Sequence, residues 1–141
     1  LTQSCPLSGA VVVTTPQEVA LADCRKGLAM FDSDGVAVVG VVENMSYFIC
    51  DQCEKAHFIF RTGGGERITK QYGVPLLGKV PLEPSVADAG DLGIPAVLSH
   101  PNSVSATEFV RIAEQVVCSL SVLSSNNEQV LSNYNYEWSD L

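Results

Sequence analysis

Val36-Ala37-Val38-Val39-Gly40-Val41-Val42-Glu43-Asn44 is the stretch on which the fold turns. From Val36 to Val42 it is apolar without alternation, which describes a strand covered on both faces, as in a parallel sheet. It then stops in a polar pair, Glu43-Asn44. A second β-branched run, Ala10-Val11-Val12-Val13-Thr14, lies upstream and reads the same way. Between them a helix is expected from near Pro16, a residue suited to a first helical position. Ala20, Cys24, Gly27, Leu28 and Phe31 share one face of it, and Asp32-Ser33-Asp34-Gly35 ends it as a turn. Strand, helix and strand at this spacing make a βαβ unit with a right-handed crossover.

Working outward, Tyr47-Phe48-Ile49 and His57-Phe58-Ile59-Phe60 are expected to pair as a small hairpin with Cys50 and Cys53 near its tip. Thr62-Gly63-Gly64-Gly65 leads to a helix from Glu66 to Tyr72, with Gly73 as a left-handed cap. Leu76 to Val80 is a third strand, and a short helix follows Pro84 to about Ala89. Ser105-Ala106-Thr107-Glu108 has the pattern of a capping box. The last helix should then bury Ala106, Phe109, Val110, Ala113, Val116, Val117 and Leu120. Residues 1–124 are expected to form one α/β domain, and 125–141 a polar, weakly ordered tail.

The bulk composition narrows the function. Apolar residues make up 46% of the 141 and charged residues 17%, enough to bury one core. Sixteen acids stand against eight bases, a net charge of −8, with no basic cluster. Nucleic acid and anionic membrane surfaces are disfavoured as partners, and no apolar run reaches the roughly 20 residues of a span. Five cysteines at irregular spacing do not make a secreted disulfide framework. Cys24 and Cys118 fall in helical patterns and read as small buried hydrophobes. The chain opens without Met or a signal pattern and reads as a piece of something longer.

Ligands of open α/β sheets bind beyond the carboxyl ends of the strands. Those ends carry Thr14-Thr15-Pro16-Gln17, Glu43-Asn44-Met45 and Pro81-Leu82-Glu83-Pro84. Asn44 offers a donor and an acceptor, as the edge of a purine requires; alternatively it caps the strand and satisfies loop backbone. Gly63-Gly64-Gly65 has the composition to cradle an anion at a helix N-terminus or to serve as a flexible helix entry. It is no phosphate loop, because no Gly-Lys-Ser/Thr follows.

Cys50-Asp51-Gln52-Cys53 sets two thiols where both can grip one metal centre, and supplies half of a four-ligand site. His57 could add a third ligand, another cysteine could fold back, or a two-fold dimer could bring two pairs together. A redox dithiol is a further option, although that motif normally opens a helix. A pair with no special role is the plainest alternative.

Several longer motifs resemble one family. They are Val12-Val13-Thr14-Thr15-Pro16-Gln17-Glu18-Val19-Ala20, Gly40-Val41-Val42-Glu43-Asn44-Met45-Ser46-Tyr47-Phe48, the Cys50/Cys53 pair, Gly63-Gly64-Gly65-Glu66-Arg67, and Gly73-Val74-Pro75-Leu76-Leu77-Gly78 with Pro81-Leu82. In order, over about residues 1–117, they are similar to the Mrp/ApbC-type iron–sulfur cluster carrier ATPases. The resemblance implies a partial doubly wound parallel sheet of P-loop NTPase type, with helices on both faces and a small Cys-bearing hairpin. It implies a homodimer sharing a [4Fe-4S] cluster through Cys50 and Cys53 of each subunit, and transfer to apo-protein recipients gated by ATP and Mg²⁺. Asn44, Pro81, Leu82 and Glu83 would lie at the adenine. The phosphate-binding half is absent, so the 141-residue chain alone is not expected to hydrolyse ATP. The implied location is the cytoplasm, or an organelle matrix or stroma if a transit peptide precedes the chain. Other readings are a zinc-stabilised α/β binding module and a ParA/MinD-like positioning ATPase. Two departures touch the hairpin: the family often has Gly where Glu54-Lys55 stands, and usually where Arg61 stands.

Overall fold

The computed structural model describes residues 7–126. The apolar runs form a parallel sheet in the order β1-β2-β5, from β1 (Ala10–Thr14), β2 (Val38–Glu43) and β5 (Leu76–Lys79). The hairpin is a separate two-stranded ribbon of β3 (Phe48–Ile49) and β4 (Ala56–His57). β2 starts two residues later than the sequence predicts, because Val36 N–H and Ala37 C=O are spent on Phe31 O and Ala10 N.

Side-chain alternation along β2 divides the core. Val41 points to the layer of α1 (Glu18–Ser33) and α2 (Gly64–Tyr72), where it packs with Val12, Leu21, Cys24, Leu28 and Ile68. Val42 points the other way, to Leu77, Val80 and Ile112 of α5 (Val104–Asn126). The architecture is the predicted α/β sheet with helices on both faces. Two short helices, α3 (Pro84–Asp91) and α4 (Ala96–Ser99), join β5 to α5, and the second was not anticipated.

Three expectations need correction. β1 is covered on one face only: Val12 and Thr14 are buried, whereas Val13 is 61% exposed and Val11 also faces solvent. α5 packs over β2 and β5 and leaves the outer face of β1 bare. The phase of α5 also differs, since Val110 and Val117 are exposed and Ile112 is buried. Its fit is set by Gly78, where even a Cβ would lie 2.6 Å from Ile112 Cγ1. Finally, the capping box is not made. Ser103 Oγ accepts from Ala106 N at 3.0 Å, so the cap lies two residues earlier than predicted, and Glu108 pairs with Arg111. Ser105 is buried instead.

α5 runs to Asn126, past residue 124, and the rest of the expected tail lies outside the described residues. No helix among the described residues is long and apolar enough to cross a membrane.

Candidate functional site

The carboxyl ends of the three parallel strands meet at one edge, and hydrogen bonds tie their loops together. Asn44 N donates to Thr14 O (2.7 Å), Ser46 N to Val80 O (3.0 Å), and Leu82 N to Tyr47 O (2.7 Å). The loop after β2 thus bridges its neighbours on both sides. Met45 turns it with a left-handed backbone, φ 53°.

Asn44 lines a cleft of about 420 Å³ with Thr14, Thr15, Ala20, Asp23, Cys24 and Gly27. Its Oδ1 accepts from Met45 N at 2.9 Å, so part of its acceptor capacity serves the turn. Pro81 is buried and Leu82 and Glu83 are half-buried. They stand at the same edge, across the Ser46–Val80 link, and do not line the Asn44 cleft. Glu83 Oε2 also lies 3.4 Å from Ser105 N, near the start of α5. A negative charge there complements the helix dipole. Tyr47, between these loops, has its phenol pushed up by burial and by Glu108 and Glu83.

Glu43 was not singled out by its sequence context, yet it organises the edge. It is fully buried. One carboxyl oxygen accepts from Ser46 Oγ at 2.5 Å and the other from Gly65 N at 2.5 Å. A Cβ at Gly65 would sit 3.1 Å from Glu43 Oε2, and one at Gly64 3.0 Å from Pro16 Cα. The glycine run therefore lets the first turn of α2 press against β2 and Pro16. The acceptor cradled at that helix N-terminus is the protein's own side chain. The signal was present: an acid ending an apolar strand, with a glycine run downstream.

Beyond this edge β3 and β4 lift the two thiols outward. Phe48 pairs with His57 and Ile49 with Ala56. Cys50 N donates to Lys55 O (3.0 Å) and Glu54 N to Cys50 O (2.8 Å), closing the turn. Glu54 has φ 56° and Arg61 φ 78°. Both departures from the family pattern thus occupy left-handed backbone, which explains why glycine suits those positions. The donor atoms of Cys50, Cys53 and His57 lie within 4.8 Å of one another. Cys53 and His57 are exposed and Cys50 half-buried. The Gln52 backbone N–H, followed by the backbone and thiol of Cys53, holds the Cys50 thiol below its ordinary pKa. This favours the thiolate, the metal-binding form.

The remaining described cysteines lie elsewhere. Cys24 is buried in the α1 core, and burial pushes its thiol up. Cys118 is exposed on α5, contrary to its reading as a buried residue. Cys5 lies outside the described residues. Two thiolates fit half of a four-thiolate cluster site, and among the described residues no further cysteine lies beside them.

The sheet order, two helical layers and ligand edge define a P-loop NTPase-type α/β domain carrying a thiol hairpin. The solved structure of the septum site-determining protein MinD from Pyrococcus horikoshii, complexed with Mg-ADP, superposes on 82% of this chain and 44% of that one, with a TM-score of 0.61 at 27% identity. The chain belongs to the ParA-type NTPases, matching over residues 1–117 the family described as NUBPL iron-transfer P-loop NTPase. It is 51% identical over 123 residues to an iron-sulfur cluster carrier protein of Synechocystis, covering 86% of this chain and 35% of the relative. It is 43% identical over 126 residues to an iron-sulfur protein required for NADH dehydrogenase, mitochondrial, of Arabidopsis thaliana, covering 89% and 40%. The chain thus spans 35–40% of the length of these curated relatives.

Proposed function

We propose that this protein is part of an iron–sulfur cluster carrier whose cargo is held by Cys50 and Cys53. The observation that carries this reading is the presentation of both thiols, close together and accessible, on a hairpin standing clear of the sheet. A cluster that must be handed on needs ligands a recipient can reach. Two copies related by a two-fold axis would supply four thiolates for one [4Fe-4S] cluster, and apo iron–sulfur proteins would receive it.

The nucleotide reading places the base of ATP at the strand-end edge, with Asn44 in the cleft and Pro81, Leu82 and Glu83 on the neighbouring loop. Phosphates and Mg²⁺ would be held by the remainder of a longer polypeptide, as the coverage of the relatives suggests. The physical link between nucleotide and cargo is short. Glu43 pins Ser46 and α2, and Tyr47 leads directly into β3. The domain of residues 1–124 and its location, cytoplasmic or in an organelle, belong to the same proposal.

Anaerobic reconstitution with iron and sulfide is the test. The expected product is one four-iron cluster per two chains, lost in Cys50→Ala and in Cys53→Ala. A cluster that survives either substitution overturns the assignment of ligands.

A further inference from the structure

We propose that Cys50, Cys53 and His57 form a mononuclear site within each single chain, taking one borderline-soft divalent cation of the Zn²⁺ class. It uses the same two thiols as the cluster reading, and rests on that reading only in naming what displaces the ion.

Strand register brings the third ligand into place. His57 stands directly opposite Phe48 in the antiparallel pair. Cys50 is two residues beyond Phe48, so Cys50 and His57 share one face of the hairpin as diagonal neighbours. The Glu54 N to Cys50 O bond closes the turn that carries Cys53 back beside them. The three donor atoms come within 4.8 Å of one another. Tetrahedral zinc with metal–donor distances of about 2.0–2.3 Å needs donors roughly 3.5–3.8 Å apart. Side-chain rotation of the exposed Cys53 and His57 spans that difference.

The hairpin itself supplies an independent reason. Its strands are two residues each, and Phe58 and Ile59 beside it are exposed. A two-stranded ribbon of this size is marginal in water. An ion gripping the turn through Cys50 and Cys53 and the returning strand through His57 would staple it, with the folding energy supplied by coordination. Each thiol releases its proton to solvent as its sulfur binds. Three protein ligands leave a fourth position for water or an incoming group, which is the arrangement of an exchangeable site. The consequence is a one-chain metal state that holds the thiols and gives way when two chains share a cluster.

The test titrates the reduced 141-residue chain with Zn²⁺ under anaerobic conditions, with Co²⁺ as a spectroscopic probe. One ion per chain is expected, with charge-transfer bands from two thiolates and added hydrogen-exchange protection at the Cys50 and Glu54 amides. His57→Ala should weaken binding by at least about tenfold, and His57→Cys should restore it. His57 is exposed, and unchanged circular dichroism of both variants confirms that the fold is kept. Half an ion per chain, or equal affinity in His57→Ala, overturns the proposal. The cluster arm separates the two readings. His57→Ala should assemble the cluster normally and lose only the ion. If the wild-type chain binds zinc through His57 and assembles no cluster, the carrier reading falls and this one stands. If cluster assembly succeeds and zinc ignores His57, the reverse holds.

Discussion

Removing the Glu43 side chain should disconnect the strand edge from the helix behind it. In Glu43→Ala, Gly65 N–H and Ser46 O–H both lose their acceptor, and both residues are buried. A buried donor left unpaired costs about 1–3 kcal/mol, and each lost methylene adds roughly 0.8 kcal/mol of transfer energy. Partial hydration of the space offsets some of this, so a loss of about 3–5 kcal/mol is expected. Glu43→Gln is the informative control. Its amide oxygen still accepts from Gly65 N, and its NH₂ donates to a Ser46 hydroxyl that rotates to accept. Both bonds survive in altered form, so the cost should be about 1 kcal/mol. Urea unfolding, comparing midpoints at constant m, reads the difference. Amide exchange at Gly65 localises it, with fast exchange in Ala and protection retained in Gln. Equal losses in the two variants, or a protected Gly65 amide in Glu43→Ala, would refute the reasoning.

Other consequences are local. Glu54→Gly and Arg61→Gly should each stabilise the hairpin region by about 0.5–1 kcal/mol, the left-handed penalty less the entropy of glycine; slower exchange of Cys50 N–H in Glu54→Gly checks the first, and a raised unfolding midpoint in Arg61→Gly the second. Gly78→Ala should cost about 1–3 kcal/mol by overpacking against Ile112, and Ile112→Val in the same chain should recover part of it in thermal melts. Val13→Lys on the bare face of β1 should reduce self-association in sedimentation velocity, because a charge there blunts an exposed apolar edge; unchanged association would mean that another surface is responsible.

Much of the fold was legible because parallel strands buried between helices have a distinctive composition. Val38 to Val42 and Leu76-Leu77 could hardly be anything else, and Gly73 marks the end of α2 as its left-handed φ of 67° requires. The thiol pair and the amide at the strand end were legible by residue type and spacing. Less legible were features that depend on what a side chain meets. Val13 and Val12 are the same residue, yet one is exposed and the other buried, because α5 packs mainly over β2 and β5 while α1 covers the other face of β1. Ser103 and Ser105 are both competent caps, and the helix start alone chose between them.

By itself the sequence determined the layered α/β class, the family and the two thiols, since each follows from local pattern: unbroken apolar runs, glycine and proline punctuation, and C-x-x-C spacing. Only the tertiary structure decided that Glu43 is an internal latch rather than a ligand contact. Its partners lie 3 and 22 residues away and meet it only when α2 packs on β2. Only the tertiary structure, too, placed His57, rather than Cys24 or Cys118 among the described residues, beside the two thiols. That placement rests on the register opposing it to Phe48, and register is a property of paired strands that neither strand carries alone.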